Sequence, residues 1–396
     1  MRRILCIGLL CVFATSPLQA QEPVEIYGYF ESQVSGTVLG DAFFQLYSNK
    51  LRVDLQSSLN DQVSFAANFD YITYHGKKNW NVLNVFPEMV TGQVPAAQRP
   101  FYALSFGDRN FLDNAYARIA LERADITVGK QQISLGTGYV WNPMDVFNIK
   151  DVLDPTYEQP GHNAIRVDVP MGLRSTATAL YSPESTWDRS TRMLQFKTGI
   201  GHFDFTLLGL RQVWTFHDYS QFDVQNGGFP GDSEARSLYG ISTAGELLGL
   251  GVWAEYGYNV METSDDFQEL VIGGNYTFDF QTFVMAEYYH NSLGKSLADD
   301  YTLTDWMRMF ANEQKTITRD QVYLLAQHPV GDFIYTGLSG IVSLSDGSMA
   351  LVPTLDYSFA QNMELTAYLS LNFGDDNAMF SPETGHGGLI RARIYF

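Results

Sequence analysis

The feature that most limits what this chain can fold into is a two-residue alternation of apolar and polar side chains, repeated along nearly its whole length. From Asn362 to Phe373 every odd position is apolar and nearly every even one polar. From Leu389 to Phe396, Ile390, Ala392, Ile394 and Phe396 share one face, with Arg391, Arg393 and Tyr395 on the other. Leu51–Gln56, Ala115–Glu122 and Ile165–Val169 alternate in the same way. Successive side chains of a strand point to opposite faces, so this pattern predicts strands with one apolar and one polar side. Beyond the first twenty residues no apolar run approaches the length of a membrane helix.

The connections constrain the fold further. Very short ones fall at Leu59–Asp61, Arg123–Ala124, Pro170–Gly172, Ile200–Gly201, Glu246–Leu247, Phe278–Asp279, Pro329–Gly331 and Ala360–Gln361. Longer, polar ones separate them at His75–Arg109, Ser134–Gly161, Pro183–Arg189, His217–Asp232, Asn291–Thr318 and Asp375–His386. Strict alternation of short and long describes strands joined by tight turns at one end and loops at the other. Roughly eighteen strands are expected, closed into an all-β transmembrane antiparallel barrel with short periplasmic turns and long extracellular loops. A β-propeller would need a recurring signature every 40–50 residues, roughly, and none is present.

Both cysteines lie in the opening stretch, where Arg2 and Arg3 precede an apolar run from Ile4 to Ala14 and Leu18–Gln19–Ala20 ends in a small residue. This predicts a secretory signal over residues 1–20, leaving 21–396 as the barrel. The mature chain would then hold no cysteine, which excludes disulfides, zinc–thiolate sites and cysteine nucleophiles. Strand pattern beginning at Val24 leaves no room for a plug domain ahead of the barrel. The net charge of -19 argues against nucleic acid as a partner. No Gly-x-Ser-x-Gly elbow, His-Glu-x-x-His helix or EF-hand ligand order occurs, so neither catalysis nor a metal or other cofactor is expected.

The leader, the repeated strands and the terminal Arg-Ala-Arg-Ile-Tyr-Phe resemble bacterial outer-membrane β-barrel proteins. The resemblance implies that Phe396 belongs to the signal read by the barrel-assembly machinery. It also implies contact with outer-membrane lipid and lipopolysaccharide. Gly129–Asp145, with Gly136-Thr137-Gly138 and Trp141-Asn142-Pro143-Met144-Asp145, is similar to a strand-to-loop segment of porin-like and alginate-export-like families. That implies an outer-membrane channel for diffusion or export of small polar solutes. A non-conducting adhesin-type barrel is the alternative, and an outer-membrane hydrolase a weaker one.

If apolar residues meet lipid, the lumen receives Glu31, Arg52, Asp54, Asp70, Arg118, Arg166, Asp168, Lys197, Arg236, Glu255, Arg319, Glu364, Arg391 and Arg393, a mixture of both signs. Arg393 is expected to pair with Glu364, and Arg52 and Asp54 to neutralise neighbours. The loop over residues 134–161 carries Trp141, Phe147 and Tyr157, so it is expected to fold inward as a constriction. Asn142, Asp145, Asn148 and Lys150 would then face a solute. In the loop over residues 291–318, Trp306, Met309, Phe310 and Glu313 are spaced for a short amphipathic helix packed over the barrel mouth.

Overall fold

A computed structural model describes residues 23–150 and 158–396. The predicted leader lies outside the described residues, as does Tyr157. The chain forms β1 (Glu25–Leu39), β2 (Ala42–Asn60), β3 (Val63–Gly76), β4 (Asn79–Asn81), β5 (Ala103–Ser105), β6 (Arg109–Ala120) and β7 (Asp125–Gln132). Then follow β8 (Gly161–Pro170), β9 (Ser175–Ser182), β10 (Thr191–Ile200), β11 (Phe203–His217), β12 (Gly231–Leu247) and β13 (Leu250–Met261). The remainder is β14 (Phe267–Thr277), β15 (Phe283–Asn291), β16 (Asp320–Pro329), β17 (Ile334–Ser343), β18 (Met349–Ala360), β19 (Met363–Phe373) and β20 (His386–Tyr395).

All except β4 and β5 form one 18-stranded sheet in which each strand is antiparallel to its sequence neighbours. The ring closes because β1 also pairs with β20, from Tyr29↔Tyr395 to Val38↔His386. Backbone bonds of 3.0 Å in both directions between Gly28 and Phe396 finish the seam. Gly28 is required there, since a Cβ would collide with the Arg52 carbonyl.

The eight tight turns fall where the sequence placed them. The opposite end departs from strict alternation, because Gly40–Asp41, Glu262–Asp266 and Leu344–Ser348 are also short. Long loops are therefore confined to six of the nine connections at that end. The mouth there is crowded only over part of its circumference.

Burial follows the two-residue period. In β13, Trp253, Glu255 and Asn259 are buried, whereas Tyr258 and Val260 are exposed on the outward side. The expected helix forms over Leu303–Phe310, started by a capping box between Thr302 and Asp305. Its Trp306 packs 5.4 Å from Phe86 and shares a buried cluster with Leu83, Tyr102, Tyr219 and Ile317. Three long loops thereby meet over one side of the mouth, and Tyr102 donates to the Tyr219 carbonyl at 2.6 Å.

Inward and outward sets should differ in solvent access. Single cysteines at Tyr27 and Arg118 are expected to react with a polar thiol reagent in a lipid bilayer. Cysteines at Ala254 and Ile394 should respond instead to a lipid-soluble quencher, as fluorescence of a thiol-linked probe would report.

Candidate functional site: a narrowed lumen

The lumen is shaped by the loop that follows β7. Gly136 adopts φ +88°, and a Cβ on it would strike the Glu255 carboxylate; a Cβ on Gly138 would strike the Trp141 carbonyl. These two glycines let the backbone turn its N–H groups toward the opposite wall. Glu255 of β13 accepts from the N–H groups of Thr137, Gly138 and Met144 at 2.5, 3.2 and 2.6 Å. Glu287 of β15 accepts from those of Tyr139, Val140 and Trp141 at 2.6, 2.8 and 3.0 Å, and from the Trp253 indole at 2.7 Å. Both carboxylates are 1% exposed. Carboxylates taken from water need several donors, and here six of these seven are backbone N–H groups of the loop.

Packing completes the attachment. Trp141 stacks on Tyr289 with ring centres 5.1 Å apart. Met144, fully buried, presses so closely on β12 that a Cβ on Gly240 would collide with it. Ile133, Leu135 and Met144 cluster with Leu180, Met193, Leu208, Leu210 and Leu238 from the inner faces of β9 to β12. Each such fully buried side chain contributes roughly 1.5–3 kcal/mol. The loop thus lines the inner wall from β9 round to β15.

The polar ends of Asn142, Asp145 and Asn148 hold the loop's own backbone, and Asp145 and Asn148 also line the cavity beside it. Asn142 donates to the Leu135 carbonyl at 3.1 Å and Asn148 to that of Ile133 at 2.6 Å. Asp145, 1% exposed, accepts from the N–H groups of Phe147 and Asn148. Burial pushes the Asp145 carboxyl up, against these hydrogen bonds. Lys150 donates to the Tyr139 carbonyl at 2.7 Å, and burial pulls its ammonium down.

Beside the loop remains a cavity of about 720 Å³ lined by charges of both signs. On one side, Lys50 is 2.7 Å from Glu158 and 3.5 Å from Asp70. Arg52 pairs with Asp54 at 3.0 Å, as anticipated, and also with Asp113 at 3.4 Å. Asn68 donates to Asp54 as well. On the other side, Lys315 from the loop between β15 and β16 reaches Glu269 at 2.9 Å and the Asn142 carbonyl at 2.8 Å, tying the two long loops together. Arg236 lies 3.7 Å from Glu269. Arg109 lines the cavity with no ion pair among the described residues; its guanidinium lies over the Tyr74 and Phe111 rings.

The remaining sequence-derived strand residues also sit on inward positions, mostly in local pairs, whereas Arg319 lies in the loop before β16 and donates to the Gly294 carbonyl at 3.2 Å. Arg118 meets Asp125 at 2.7 Å, and Arg166 meets Asp168 at 2.8 Å. Arg393 faces Glu364 in the register but does not pair with it. It bonds Glu31 at 2.6 Å and Glu158 at 3.0 Å, while Glu364 accepts from the Tyr395 hydroxyl. Two carboxylates at once outcompete one near the rim. Arg391 lies 3.4 Å from Glu31, and Phe396 is 57% exposed at the outward seam. The sequence reading missed Glu269, Glu287, Lys50, Asp113 and Lys315 as lumen residues. For Glu269 and Glu287 the signal was present, since both share the inward parity of their strands.

Two outcomes are expected. Glu287→Ala leaves three buried donors and the Tyr139 N–H without an acceptor, so it should lower stability to denaturant unfolding by about 1–3 kcal/mol and raise protease cleavage within residues 134–150. Burial would raise the Glu158 carboxyl, but Lys50, then Tyr29 and Arg393, hold it at about 2, below its ordinary 4.5. Its tether is therefore fully present above pH 4.5 and lost as pH falls through about 2. The conductance difference between wild type and Glu158→Gln should persist to about pH 3 and vanish toward pH 2, measured in bilayers.

No protein-family model matches the sequence, and no curated protein matches it. Among solved structures, OccAB4 of Acinetobacter baumannii superposes with a TM-score of 0.58 at 8% identity, covering 96% of this chain and 100% of that one. OccAB1 of the same organism gives 0.58 at 10% identity, covering 95% and 97%. At these identities the likeness is one of fold: the chain is a closed 18-stranded antiparallel β-barrel with the same overall architecture as these two proteins.

Proposed function

We propose that the protein is an outer-membrane channel for small polar solutes, narrowed from within by residues 134–150. The observation that carries this reading is the cavity of about 720 Å³ beside the inward-folded loop, walled by Lys50, Arg52, Arg109, Arg236, Asp70 and Glu269. Opposed charges across a narrow aqueous path favour solutes that carry both polar and charged groups. An adhesin would have no use for such a chamber. The tight-turn end faces the periplasm in this reading, and the loop end faces outside. Residues 1–20 act as the leader, Phe396 as part of the assembly signal.

Solute contact falls to Arg109 and to the Lys50–Glu158–Arg52 cluster, whereas Asn142, Asp145 and Asn148 shape the loop that sets the width. Deleting residues 139–150 is expected to raise single-channel conductance in planar bilayers severalfold and to weaken discrimination between small and large solutes. A correctly inserted deletion variant of unchanged conductance would place the constriction elsewhere. A folded wild-type barrel that never conducts would overturn the channel reading.

A further inference from the structure

The outward face of β10 and β11 carries a second feature. Climbing from the turn at Gly201, it presents Ile200, Phe196 and Leu194 on one strand and Phe203, Phe205 and Leu207 on the other. The next features are Arg192 and Arg211, directly opposite each other in the register. Arg192 stands eight residues above Ile200. That is about 26 Å along a strand, or about 20 Å of height at the usual tilt, close to the top of an apolar band of about 25 Å.

Like charges facing each other on adjacent strands repel, and neither arginine is in an ion pair among the described residues. Arg192 is nevertheless held in place. Its guanidinium lies 4.7 Å over the Trp187 ring, which stacks on Tyr181 at 5.3 Å, and its Nε is buried without a hydrogen-bond partner. Between the pair and the membrane interior lies an outward groove of about 630 Å³ that Val167, Ala179, Leu194 and Tyr239 help to wall. Two adjacent cations above an apolar, lipid-facing groove complement a phosphate joined to acyl chains. Guanidinium groups suit that phosphate through paired N–H donors.

We propose that Arg192 and Arg211 bind the phosphate of a phosphorylated outer-leaflet glycolipid, with an acyl chain in the groove below. This rests on the outer-membrane placement proposed above, but not on conduction. The purified barrel in detergent micelles is titrated with diphosphoryl lipid A, fully dephosphorylated lipid A and inorganic phosphate, with retention followed by native mass spectrometry. Wild type should retain diphosphoryl lipid A, and Arg192→Gln with Arg211→Gln should weaken that retention about tenfold or more. The double lysine variant, keeping charge but not the paired donors, should fall between them. Channel conductance of the glutamine variant should match wild type, which both certifies its fold and separates this proposal from the channel reading. Equal retention by the glutamine variant, or equal retention of the dephosphorylated lipid, would overturn the proposal. So would saturation by inorganic phosphate alone, or an oligomer that dissociates on substitution, which would place a second copy on this face.

Discussion

Every other property of this molecule depends on the absence of a free sheet edge. In hydrocarbon an unpaired backbone N–H or C=O has no water to turn to and costs several kcal/mol, roughly. Eighteen antiparallel strands leave two edges, and the pairing of β1 with β20 removes both. An even strand count puts the two ends of the sheet on the same side, so that Gly28 and Phe396 can meet.

Closure with this many strands creates the next problem, an interior too wide to be filled by wall side chains. Part of it is filled by residues 133–150, which follow β7. Two wall carboxylates, Glu255 and Glu287, supply the acceptors that the loop's backbone lacks, and an apolar inner wall receives its side chains. What stays open is polar and doubly charged. The loop therefore divides the lumen into a packed half and a wet half.

The alternation that made the barrel legible is also where the sequence was hardest to read. Strand parity in β2 and β20 put Arg52, Asp54, Arg391 and Arg393 on the inward face without any structure. In β11 the signal weakens, because Leu208 and Leu210 point inward and are apolar too. They meet Ile133 and Met144 of the loop rather than water, a contact between segments some seventy residues apart that no local period reports. Partners were harder than faces. The register put Glu364 opposite Arg393, yet Glu31 and Glu158 took it, because a long guanidinium reaches diagonally and across a loop. Gly136 and Gly138 are legible as part of a strand-to-loop motif, and the structure adds the reason that both are needed.

The seam joins Glu31 to Arg393 across 362 positions of sequence. Closing it must wait until the whole chain is available, and the entropy of bringing such distant segments together precedes any reward from their bonds. Until then both ends of the ribbon remain open templates for strands of other molecules. A chain of this topology spends its growing lifetime as an aggregation hazard, safe only in the keeping of something that covers its edges until the last strand arrives.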